Sequence, residues 1–153
     1  MLQTGKKVPK LKGVLHDGST FALSDLRGQS VVIYFYPKDS TPGCTNEANA
    51  FRDLYPQFRK HHCEVVGVSR DSVGSHMKFR DKHALPFPLV ADTDESWCNA
   101  FGVLGEKTLY GRRFIGVIRS TFLVDAEGAL VAEWRGVRVP GHAAAVLERL
   151  SGC

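Results

Sequence analysis

Val31 to Tyr36 is a six-residue run of β-branched and aromatic side chains with no polar break, the pattern of a central strand covered on both faces. A Pro/Gly/Ser/Thr loop follows. After Cys44, residues Ala48, Phe51, Leu54, Tyr55 and Phe58 recur at helical spacing, and Pro56 is expected to kink or split that helix because it has no N–H to donate. Glu64 to Ser69 reads as a second buried strand, ending in the turn Arg70-Asp71-Ser72. Ser75 to His83 is a predicted helix and Pro86 to Val90 an extended return. Asp92 to Glu95 opens a short helix that carries Trp97, Cys98 and Phe101 and ends near Gly102.

Ile115 to Val124 and Ala129 to Arg135 predict an antiparallel hairpin around Asp125–Gly128, and Ala143 to Leu150 a last helix facing inward through Val146, Leu147 and Leu150. At the other end, two short extended pieces meet around Asp17-Gly18, a strong hairpin signal, before a helical turn from Ser24 to Gly28. The sum is an α/β protein with a mixed central β-sheet flanked by helices and an N-terminal β-hairpin extension, expected to form a single domain over 1–153.

Composition narrows the function classes. At 153 residues, 43% hydrophobic and 24% charged, the chain has the profile of a globular protein, without an apolar run near the ~20 residues of a membrane span. Met1 to Lys12 is polar and lysine-bearing, so no secretory leader is expected and a cytoplasmic location is the default. The formal charge of +4 is scattered among acidic residues, which argues for a solvated surface and against a nucleic-acid or membrane face. Cys44, Cys63, Cys98 and Cys153 contain no Cys-x-x-Cys pair, so neither a zinc ribbon nor the dithiol of a disulfide reductase is present.

The chemistry centres on Cys44. It stands where the Pro37–Gly43 loop becomes a helix, and unpaired amides and the positive end of the helix dipole favour a thiolate there. The wording Tyr-Pro-Lys-Asp-Ser-Thr-Pro-Gly-Cys-Thr resembles the active-site loop of peroxiredoxins, whose pattern Pro-x-x-x-Thr-x-x-Cys is met by Pro37, Thr41 and Cys44. It is most similar to the peroxiredoxin Q, or bacterioferritin comigratory protein, subfamily. The resemblance covers nearly the whole chain and implies a thioredoxin-like fold and a thiol-dependent peroxidase that reduces hydrogen peroxide and small organic hydroperoxides.

Cleaving a peroxide O–O bond needs a thiolate, donors for the leaving oxygen and partial exclusion of water. Arg119, within the otherwise apolar Gly116–Phe122, is costly there unless it is paired or serves a site. On the strand pattern alone it would snorkel to water; the resemblance instead sets it facing Cys44, where its fork of donors suits both sulfur and peroxide oxygen. The resemblance likewise gives Thr41 and Pro37 active-site roles: a hydroxyl to orient the peroxide and a ring to shield the thiolate. Glu47, one turn into the helix, either holds an arginine or is a simple first-turn acid, and Tyr36 reads as strand packing with a polar tip.

The sulfenic acid formed at Cys44 must be resolved by another thiol. Relatives in the subfamily carry a second cysteine at one of two places, but Asn49 and Arg80 occupy them in this chain. Cys98 is the remaining intramolecular candidate, against a packed, inert reading; Cys63 reads as structural and Cys153 as free. A one-cysteine cycle in a monomer, resolved by an external thiol (thioredoxin, glutaredoxin or a small thiol), is preferred over resolution by Cys98. A thioredoxin-fold binding or chaperone module without turnover is the reading from another class. His61-His62-Cys63 does not match a zinc pattern and reads as a solvated helix end, no phosphate loop is present, and no metal or cofactor is expected.

Overall fold

The computed structural model describes residues 2–152. Asp17 accepts from the amide and hydroxyl of Ser19 at 2.9 and 2.6 Å, and the turn so formed folds strand β1 (Lys12–Val14) back on β2 (Thr20–Ala22). A 3-10 turn, Leu23–Leu26, leads into β3 (Ser30–Phe35), helix α1 (Pro42–Lys60) and β4 (Cys63–Ser69). Helix α2 (Val73–His83), β5 (Leu89–Ala91) and the short helix α3 (Ser96–Phe101) follow. The chain finishes with β6 (Leu104–Leu109), β7 (Arg112–Val117), β8 (Ser120–Val124), β9 (Leu130–Arg135) and α4 (His142–Ser151).

The central sheet has the order β5-β4-β3-β8-β9, parallel through β3, β4 and β5 and antiparallel at β8 and β9. Alternation along β3 sorts the interior into two halves. Val32, Tyr34 and Tyr36 face a cluster with Cys44, Phe51 and Phe58 of α1, Phe79 of α2 and Val146 of α4. Val31, Ile33 and Phe35 face the opposite cluster, with Trp97, Cys98 and Phe101 of α3.

Two elements differ from the expectations. Helix α1 runs unbroken through Pro56, because Pro56 lies on the exposed face, where its missing hydrogen bond leaves a carbonyl to water, while Phe51 and Phe58 anchor the buried face. The single strand expected over Ile115–Val124 is two strands belonging to different sheets. β7 pairs with β6 in a separate ribbon closed by Tyr110 and Gly111, both at positive φ, and β8 enters the central sheet. Arg119 therefore sits in the two-residue break between β7 and β8, not in mid-strand.

Candidate active site

Cys44 is the third residue of α1. Thr41 occupies the extended N-cap position and Pro42 the first helical one, where a missing N–H costs nothing. Thr45 is the first residue whose amide reaches a helical carbonyl, Thr41 O at 2.8 Å, so the Gly43 and Cys44 amides lie outside the ladder. The Cys44 side chain is buried, 1% exposed, at the rim of the α1 half of the core.

Arg119 comes to it from the β7–β8 break. Its Nη2 donates to Cys44 Sγ at 3.4 Å and its Nη1 to Glu47 Oε1 at 2.6 Å. One guanidinium thus spans the sulfur and a carboxylate one turn further along the same helix. Gly43 makes room for the approach: a Cβ there would stand 3.2 Å from Arg119 Nη2. Glu47 is 1% exposed, and burial pushes its carboxyl up from 4.5 to about 7 against the pull of Arg119.

The remaining candidates fall around this pair. Thr41 Oγ1 donates to Lys38 O at 2.8 Å, and Pro37 is half-buried in the same loop. Tyr36 is buried and donates to Asp39 Oδ1 at 2.6 Å; burial, then Tyr34 and Asp39, hold its phenol well above the usual range, so it stays a donor. Cys98 is not brought to Cys44. It lies in the opposite half of the core across the central sheet, where burial and then Asp92 push its thiol well above the usual range. Cys63 is buried at the start of β4 and Cys153 lies outside the described residues.

A buried polar network beside the loop escaped the sequence. Asp39 and His76 meet at 2.7 Å, and Ser69, Asp71 and Ser75 join them. The signal was there in part: His76 precedes Phe79 by three residues on α2, a spacing that puts both on the inward face. One ligand atom each from Asp39, Asp71 and His76 lies within 4.8 Å of the others, the cluster among the described residues closest to a metal geometry. Those atoms are already taken: Asp39 Oδ2 accepts from Ser75 and faces His76, and Asp71 Oδ2 accepts from the Asp39 amide and Ser69.

The family model described as "AhpC/TSA family" matches residues 4–133. The chain belongs to that family and is a peroxiredoxin of the peroxiredoxin Q/Bcp group. Peroxiredoxin Bcp of Bacillus subtilis is 45% identical over 149 residues, covering 97% of this chain and 95% of the relative; the Xanthomonas campestris Bcp is 52% identical over 136 residues, covering 89% and 85%. The solved structure of Xanthomonas campestris bacterioferritin comigratory protein, studied for alkyl peroxide reduction, superposes with a TM-score of 0.92 at 46% identity, covering 98% of each chain. A cysteine-to-serine variant of Xylella fastidiosa PrxQ gives 0.94 at 43% identity, covering 99% and 97%. As a peroxiredoxin the chain is a thiol-dependent peroxidase with a thioredoxin-like fold. No helix among the described residues is long and apolar enough to cross a membrane.

Proposed function

We propose that Cys44 is the peroxidatic nucleophile of a one-cysteine cycle. The Cys44 thiolate attacks the terminal oxygen of a hydroperoxide; the S–O bond forms as the O–O bond breaks, sulfur loses two electrons, and the departing alkoxide or hydroxide takes a proton to leave as alcohol or water. Arg119 is the electrostatic partner, one arm on sulfur and the peroxide oxygens, the other held by Glu47. Thr41 orients the peroxide with its hydroxyl, Pro37 shields the sulfur, and Tyr36 supports the loop through Asp39. The observation that carries this assignment is the shared guanidinium: Nη2 on Cys44 Sγ at 3.4 Å, Nη1 on Glu47 at 2.6 Å.

Resolution falls to an external thiol, thioredoxin, glutaredoxin or a small thiol, which condenses with the sulfenic acid to a mixed disulfide and water before a second thiol releases Cys44. Asn49 and Arg80 at the two places where relatives carry a second cysteine, and Cys98 in the other half of the core, support this over an intramolecular disulfide. The substrates are hydrogen peroxide and small organic hydroperoxides, in keeping with the alkyl peroxide activity named for the Xanthomonas campestris neighbour. The protein works as a monomeric, cytoplasmic, single-domain enzyme over 1–153 without metal or cofactor. Peroxide consumption with a thiol reductant tests the assignment: Cys44→Ser abolishes it, full activity in Cys44→Ser would refute the role of Cys44, and a wild type that consumes no peroxide would favour a non-catalytic thioredoxin-fold module.

A further inference from the structure

Three carboxyls are buried among the described residues, those of Asp39, Glu47 and Asp92. Two of them are held as anions by donors on both oxygens. Asp39 accepts from Tyr36 Oη at 2.6 Å on Oδ1 and from Ser75 Oγ at 2.8 Å on Oδ2, and Asp92 accepts from the Trp97 amide at 3.0 Å on Oδ1 and from the Cys98 amide at 2.8 Å on Oδ2. Glu47 is the deepest of the three at 1% exposure, and only its Oε1 has a donor, Arg119 Nη1 at 2.6 Å. Its Oε2 is buried without a protein hydrogen-bond partner, an environment that penalises a carboxylate far more than a neutral carboxylic acid with its proton on that oxygen.

The groups around Glu47 leave it a single cation. Tyr34, from β3, contributes the other buried side-chain atom without a partner, its Oη; burial, and then Glu47 and Cys44, hold that phenol well above the usual range, so it carries no charge. Lys107 of β6 and His142 of α4 are both held below their ordinary values by burial and then by Arg119. The charge that acts on Glu47 itself is that of Arg119, and Arg119 also donates to Cys44 Sγ at 3.4 Å. One guanidinium therefore stands between two acids and balances one anion.

Resting on Cys44 as the nucleophile, we propose that Glu47 is a positioning residue that shares one proton with Cys44, neutral while the sulfur is a thiolate and ionised once the sulfur has lost its charge. In the oxidative half-reaction, thiolate, hydroperoxide and carboxylic acid become sulfenic acid, alcohol or water, and carboxylate. The S–O bond forms as the O–O bond breaks, and sulfur gives two electrons to the peroxide. The leaving oxygen takes one proton from solvent and Glu47 returns one to it. The charge of Arg119 is thus undivided on the sulfur during attack and passes to Glu47 afterwards, and regeneration of the thiolate gives Glu47 its proton back. Glu47 and Arg119 stay in contact throughout, because Oε1 accepts from Nη1 in either state.

Infrared difference spectroscopy of the full chain tests this, since the C=O stretch of a protonated carboxyl is distinct from carboxylate bands. Spectra are taken about one pH unit above the value of about 7 that burial gives Glu47 against the pull of Arg119, so that a proton still present is held there by the thiolate. Cys44 is discharged in two ways: by hydrogen peroxide, and by methyl methanethiosulfonate, which caps the sulfur as a neutral mixed disulfide without peroxide chemistry. The reduced wild type should show a protonated-carboxyl band that is lost on either treatment, missing in Glu47→Gln and displaced in Glu47→Asp. No such band in the reduced wild type, a band that survives capping of Cys44, or a band unchanged in both variants overturns the shared proton. A band lost on capping in a protein whose Cys44 ignores hydrogen peroxide sinks the peroxidase assignment alone and upholds the shared proton.

Discussion

Glu47 Oε1 and Arg119 Nη1 meet at 2.6 Å inside the protein, and the same guanidinium turns its other arm on Cys44. A carboxyl with 1% exposure, one oxygen on Arg119 and the other, Oε2, without a protein hydrogen-bond partner, is costly to ionise. Its persistence beside Arg119 is what a positioned, rather than mobile, cation requires.

Removing the cation should therefore damage chemistry more than folding. Arg119→Ala is expected to lower the second-order rate of Cys44 oxidation by roughly 10²–10³-fold, the scale of losing one preorganised donor. Folding is spared in part because the Glu47 carboxyl, already pushed up to about 7, escapes its lost partner by taking a proton. Arg119→Lys keeps charge without the fork and should recover little of the rate. Stopped-flow oxidation, normalised to folded protein by near-UV circular dichroism, checks both variants.

Glu47 should also write itself into the pH dependence of stability. Its folded value of about 7 lies above its ordinary 4.5, so its contribution is fully present below pH 4.5 and is lost as pH rises through 7. The loss is on the order of 3 kcal/mol. Urea midpoints for Glu47→Gln, compared with wild type between pH 4.5 and 8, should show the wild type losing ground to the variant as pH rises. A difference that stays flat across that range contradicts the buried carboxyl.

His142 works in the other direction. Burial, and then Arg119, depress it from 6.5 to about 4, and its Nε2 sits 2.7 Å from Thr121 Oγ1. Its contribution is present above pH 6.5 and lost as pH falls through 4, again by on the order of 3 kcal/mol. His142→Gln should lower the acid-unfolding midpoint relative to its own neutral stability, read by tryptophan fluorescence.

The strand and helix between Val31 and Phe58 were legible because one is an unbroken β-branched and aromatic run and the other repeats at helical spacing, and the cysteine motif lies wholly within that stretch. The place of Arg119 was not. Ile115 to Ser120 has no proline or charge cluster to mark the change of sheet, and β6, with polar and half-exposed residues, offered no alternation to reveal its partner. Pro56 misled because its consequence depends on which face of α1 it occupies. The Asp39–His76 contact joins residues 37 apart through the packing of α2 on the sheet, and no local pattern encodes that distance.

Cys98 offers a separate check on resolution. Cys98→Ser should leave peroxide turnover with an external thiol at the wild-type rate, because the residue lies on α3, in the half of the core opposite Cys44. A loss of more than tenfold, measured with folded protein, would reinstate it as the resolving cysteine.

The most direct measurement of the central claim is mass spectrometry of the reduced protein after one equivalent of hydrogen peroxide, with dimedone present to trap sulfenic acid. One dimedone adduct on the peptide carrying Cys44, with no disulfide to Cys98, is the predicted result. An unmodified Cys44, with the oxidant consumed at another residue, would contradict it.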